Sequence, residues 1–140
     1  MRLEEFVRQA MVDAVNTEGG ANAVIDFYTN TTSIPGVVTA TFTGTGMLGA
    51  TMLTCQSPMM DESTNGVGTF DTIGTATVGG QTGNVAYFAL KKATNSTRTG
   101  VLLTGSVLTQ TADITFNTTS WDAGDNVSIT SLTFTQPAGS

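Results

Sequence analysis

The sequence predicts a mainly β fold, an antiparallel β-sandwich or jelly-roll-like domain of about eight strands with one short N-terminal amphipathic helix. Threonine occupies 28 of the 140 positions, and β-branched side chains favour strands. Charged residues make up only 11% of the chain, which is too few to cover the polar faces of several helices. From residue 23 onward, apolar and polar residues alternate in short runs separated by turn residues, a pattern typical of half-buried strands.

Residues 1–20 are predicted to form the N-terminal helix, and residues 21–140 the β-sandwich domain. Apolar side chains recur at three- and four-residue spacing on one face of residues 3–15. This apolar stripe consists of Leu3, Phe6, Val7, Ala10, Met11, Ala14 and Val15. Gly19 and Gly20 are expected to end the helix. The stripe can either cover the domain's own core or contact a partner subunit, and the sequence leaves both open.

Runs with a period of two give the expected strands. The most apolar run, VAYFAL at residues 85–90, is apolar on both faces, so we expect it at the centre of a sheet with both faces covered. The strands are predicted at residues 23–28, 38–43, 48–55, 69–78, 85–90, 101–108, 114–116 and 127–134.

Residues 113–139 are predicted to form a hairpin, with strands at 114–116 and 127–134 and a polar turn between them. The alternation shifts by one residue after Ile129, which a β-bulge would accommodate. Trp121, the only tryptophan, lies in the turn. We expect its indole to close one end of the core.

The longest stretch without alternation, residues 56–68, is predicted to be a loop. Adjacent Met59 and Met60 could form an adaptable contact surface, because unbranched thioethers fit irregular partners. A surface loop with one buried methionine is the favoured alternative. The residues expected at a partner interface are therefore Leu3, Phe6, Val7, Met11, Met59 and Met60.

The formal net charge of −6 disfavours binding to nucleic acid or to an anionic membrane. We find no apolar run long enough to span a membrane and no signal peptide, so we expect synthesis in a cytoplasm. Lys91, Lys92 and Arg98 are three of the five basic residues. A solvated hairpin end is favoured for them over a positive patch directed at an acidic partner.

No catalytic, metal or cofactor site is predicted. The chain has no histidine, which removes the usual nucleophile–base pairs and the commonest metal ligand. Cys55 lies in an apolar run, which is typical of an inert core thiol. Asp122, Asp125 and Asn126 carry oxygens that suit Ca²⁺, but turns select the same residues. We therefore expect neither an enzyme nor a cofactor.

Three motifs carry a resemblance to a known family. They are DFYT at residues 26–29, NGV at 65–67, and NTTSWDAGDNVSITS at 117–131 followed by PAG at 137–139. The chain resembles a family of small structural proteins of tailed bacteriophages that are encoded among the head and tail genes. The C-terminal motif is the most specific of the three. The family has no known catalytic residues, so the resemblance implies none here.

The resemblance implies a virion structural protein made in the host cytoplasm. We expect a capsid decoration or cement protein that packs between subunits of the major capsid protein and also contacts copies of itself, as a dimer or trimer. A neck, tail or fibre-associated subunit is the alternative within this class. A carbohydrate-binding β-sandwich module is the alternative from another class, and it would need two or more exposed aromatic side chains. Only Trp121, Tyr28 and Tyr87 are candidates for that role.

Overall fold

The computed structural model of the protein describes residues 1–20, 23–29, 46–49, 52–56, 58–61, 65–92, 101–110 and 114–136. It confirms a mainly β, sandwich-like fold with one helix at the N-terminus. The helix α1 spans Glu5–Gly19. Ten strands lie in the described ranges: β1 Val24–Thr29, β2 Leu53–Thr54, β3 Val67–Thr69, β4 Ala76–Thr77, β5 Gly83–Lys91, β6 Val101–Leu108, β7 Ile114–Thr115, β8 Ser120–Trp121, β9 Asn126–Val127 and β10 Thr133–Thr135.

The main sheet has the strand order β2-β1-β5-β6-β7, and β8 also pairs with β5. Strand β5 contains the VAYFAL run and lies between β1 and β6, antiparallel to both. This confirms its predicted place at the centre of a sheet. Most of its apolar residues are buried, and both faces of the neighbouring β1 are covered as well. Strands with two covered faces need apolar residues at successive positions, as found here.

Two small antiparallel pairs, β3 with β10 and β4 with β9, complete the sandwich. Val127 of β9, with Phe70 directly after β3 and Val78 directly after β4, belongs to the same hydrophobic core as Phe27 and Leu90 of the main sheet. The core therefore lies between the main sheet and these short pairs.

The predicted hairpin at residues 113–139 is wrong. Strand β7 pairs in parallel with β6, β9 pairs with β4, and β10 pairs with β3, so the two predicted strands do not pair with each other. The second predicted strand is also split into β9 and β10, around the place where the alternation shifts. Alternation identifies which residues face the core, but it carries no information about the partner strand.

The remaining strand predictions have mixed outcomes. The strand predicted at 23–28 is found as β1, and β6 has the predicted bounds. Of the strand predicted at 48–55, Leu53–Thr54 is found, and the one predicted at 69–78 is reduced to Ala76–Thr77. The strand predicted at 38–43 lies outside the described residues.

The helix packs on the sandwich mainly through Val12, which lies outside the apolar stripe. Val12 is fully buried in the core and Val15 packs against it, whereas Ala10 and Ala14 are exposed. Glycine permits this close approach, because a Cβ at Gly68 would lie 2.6 Å from Val12 Cγ1. The helix ends as expected at Gly20, whose positive φ of 61° suits glycine.

Candidate functional site

The helix carries an exposed apolar surface on the side opposite its buried face. Phe6 is 74% exposed and Met11 is 41% exposed. Ala10, which lies between them in the sequence, and Ala14, which follows them, are exposed as well. We call Phe6, Ala10, Met11 and Ala14 the outer stripe. Leu3 and Val7, also predicted at an interface, are half-buried. Most of the apolar stripe read from the sequence thus faces away from the chain's own core.

Hydrogen bonds hold the helix in this orientation. The Asn16 side chain donates to the Met60 carbonyl and accepts from the Met60 N–H, both at 2.9 Å, as a neighbouring strand would. Near the other end, Arg8 donates to the Asn65 carbonyl, and Glu5 accepts from the Asn65 N–H. These bonds fix the rotation of the helix about its own axis. Its outward face is therefore a defined surface.

The structure moves Met59 and Met60 from the surface to the core. Both side chains are fully or almost fully buried, and the methyl group of Met59 lies against Gly19. The expected adaptable methionine surface is wrong at these two positions, and so is the alternative of one buried methionine. They cover the sheet beneath the helix, and the loop backbone around them is paired with β3 and Phe70.

The two adjacent lysines at the end of β5 differ in burial and in the groups they contact. Lys91 is 1% exposed, so its expected place in a solvated hairpin end is wrong. Its Nζ lies 3.1 Å from the Tyr28 hydroxyl oxygen and 3.9 Å from Asp26 Oδ2, and Asp26 and Tyr28 are buried too. Lys92 instead makes an exposed ion pair of 2.6 Å with Glu18. That hydrogen bond lowers the pKa of the Glu18 carboxyl.

Cys55 is a buried core thiol. Burial raises its pKa to about 11, and a protonated thiol is a poor nucleophile. We expect Cys55 to react with a thiol reagent such as Ellman's reagent only after unfolding, so the rate in native buffer should follow the rate of global opening. Rapid stoichiometric labelling of the folded protein would contradict this placement.

Asp125 belongs to a turn. Its Oδ2 accepts a hydrogen bond of 2.8 Å from the Asp122 N–H, and the Asp125 N–H is bonded to the Asp122 carbonyl. This is the role that turns give to such side chains. Within the described ranges, no three His, Cys, Asp or Glu side chains are grouped closely enough to hold a metal ion.

The aromatic candidates for a carbohydrate platform are mostly internal. Tyr28 is fully buried, and Trp121 is 4% exposed and packs edge-on against Phe27 and Phe116. Trp121 belongs to the hydrophobic core, and it lies in strand β8 and not in a turn. A cleft of about 450 Å³ beside it is lined by Phe116 and the polar turn around Asp125. A second cleft of about 340 Å³ lies between β5 and β6 on one side and β10 on the other.

Comparisons with known proteins add no relative. No family model, no curated protein and no solved structure matches the chain. The helix of the described chain is not long and apolar enough to cross a membrane.

Proposed function

We propose that the chain is a structural protein of a bacteriophage virion, a capsid decoration or cement protein that binds and stabilises the shell of major capsid protein. The C-terminal motif at residues 117–131 supports the class of protein. The outer stripe supports the mode of action, because it presents apolar side chains from a helix whose other face is fixed to the core. Exposed apolar side chains grouped on one surface are typical of contact sites.

Binding to the shell in this way requires only that surface is buried at the contact. A shell offers many identical copies of one site, so modest affinity at each site gives an ordered coat. The net charge of −6 keeps free copies soluble before they bind. Phe6 is the natural anchor of the contact, because aromatic side chains bury large areas with few rotatable bonds.

We expect the double variant Phe6→Ser with Met11→Ser to fold normally and to bind isolated shells at least about tenfold more weakly, as expected when interface anchors are truncated. Co-sedimentation with shells lacking the protein measures the binding, and circular dichroism checks the fold. Leu108→Ser is the control, because Leu108 is an exposed apolar side chain, at 50%, that lies on β6 and not on the helix. Equal binding by the double variant and the wild type would contradict the role of the stripe.

The copy number in purified particles tests the location. A decoration protein should be present in hundreds of copies per particle, whereas about three to twelve copies would indicate a neck or tail position with a closed ring or trimer. Particles without the protein should assemble but break at lower temperature, because a cement adds contacts across subunits after assembly. Absence of the protein from purified particles would overturn the proposal.

A further inference from the structure

The buried Asp26, Tyr28 and Lys91 form a reactive arrangement. All three lie on one face of the β1–β5 pair, where Val24 is opposite Lys91 and Asp26 is opposite Ala89. The lysine therefore reaches diagonally across the two strands, and its Nζ stops 3.9 Å from Asp26 Oδ2. A primary amine is thus held beside a carboxyl group, with both side chains at least 95% buried.

The two oxygens of the Asp26 carboxyl group have different surroundings. Oδ1 accepts hydrogen bonds from the backbone N–H groups of Phe27, at 2.8 Å, and Leu48, at 3.3 Å. Oδ2 points to Lys91 and is closely packed against Gly46, where no Cβ would fit. Two backbone N–H groups on one carboxyl oxygen form the arrangement that stabilises the oxyanion of a tetrahedral intermediate.

We propose that Lys91 and Asp26 join in an intramolecular isopeptide bond that links β1 covalently to β5. Transfer of a proton from the ammonium to Oδ2 gives a neutral amine and a carboxylic acid. The amine nitrogen attacks Cγ, and negative charge develops on Oδ1 between the two N–H groups. The Cγ–Oδ2 bond then breaks and Oδ2 leaves as water. One water forms for each Nζ–Cγ bond, and its two protons both come from the ammonium.

The surroundings favour this step. Burial disfavours charged groups, so it favours the neutral pair that reacts. Groups held together in good orientation reach effective concentrations of up to about 10⁵–10⁸ M, so holding the amine beside the carboxyl group lowers the barrier to attack. The Tyr28 hydroxyl, 3.1 Å from Nζ, accepts a hydrogen bond from the amine and can relay a proton that leaves it.

The mass of the intact, denatured protein tests the bond. We expect a mass about 18 Da below that of the sequence, the loss of one water. Digestion with a protease that cleaves after glutamate then locates the isopeptide bond. Glu18 and Glu62 bound the fragment 19–62, which contains Asp26, and Lys91 is in the fragment 63–140. The bond joins these two fragments into one branched species. A succinimide at Asp26 would also lose water but would leave the fragments separate, and that result would overturn the proposal.

Two lysine variants test whether the bond requires the Lys91 amine. Lys91→Arg keeps the positive charge but carries no amine that can form this amide, so the full sequence mass and two separate fragments are expected. Lys92→Arg is the matched control at the neighbouring exposed position, and its cross-linking should equal that of the wild type. Wild-type protein that keeps its full sequence mass after prolonged incubation in the folded state overturns the inference, whatever the variants do.

Discussion

Replacing Phe27 with alanine is expected to lower the free energy of unfolding by roughly 3–5 kcal/mol, through lost burial and the cavity left behind. Phe27 is fully buried on β1. Its ring makes edge contacts with Phe116 and Trp121, at centroid distances of 5.6 and 5.1 Å. Those two rings also contact each other at 5.1 Å. The truncation therefore removes one member of a three-ring cluster that joins β1 to β8 and to the residue after β7.

Urea unfolding followed by tryptophan fluorescence measures this loss directly, because the only tryptophan lies in the cluster. Phe6→Ala is the control for the same chemical change at an exposed position, where we expect a change within about 0.5 kcal/mol. Similar losses in the two variants would mean that Phe27 does not lie at the centre of the core.

Local alternation predicted which side chains of β1 enter the core, but not that the other face of this strand is covered as well. Ile25 and Phe27 were expected on one face of the first strand, and both are fully buried. Strand β5 was expected at the centre of a sheet and lies there. Period two reports burial directly, because successive side chains point to opposite faces of a sheet.

Strand pairing could not be predicted from the alternation of apolar and polar residues. Strands adjacent in sequence at residues 114–134 pair with β6, β4 and β3 instead of each other. Those partner strands are distant in sequence. Alternation does not distinguish them from the neighbouring strand as pairing partners. The polar residues between the predicted strands also contain β8, which pairs with the start of β5.

The helix shows why hydrophobicity alone does not identify the residues that pack on the core. Most of its apolar stripe is turned outward, and Val12 enters the core between Arg8 and Asn16, which lie one turn before and one turn after it. Asn16 and Arg8 select this rotation through hydrogen bonds to backbone groups of the loop beneath, and Gly68 makes room for Val12. Such partners are distant in sequence, so no periodicity of the helix itself could identify them. The buried Lys91 was missed for the same reason, since its partner Asp26 lies on another strand.

Replacing Lys91 with methionine is expected to cost roughly 3–5 kcal/mol, because it leaves the buried Asp26 carboxylate without its neighbouring positive charge. Methionine fills a similar volume and keeps the apolar contacts of the lysine stem, so the change removes little besides the amino group. A loss of this size is a large share of the 5–15 kcal/mol that stabilises a typical domain. Urea unfolding at neutral pH measures it.

Lys92→Met is the matched control, one residue along the same chain. Lys92 pairs with Glu18 at the surface, where water and salt screen the charges, so its loss should hardly change the unfolding midpoint. Lys91→Arg separates the two roles proposed for Lys91, because it keeps the charge but cannot form the isopeptide bond. If Lys91→Arg is more stable than Lys91→Met, the positive charge itself stabilises β1 against β5. If both variants match the wild type, Asp26 and Lys91 do not form a buried pair in solution.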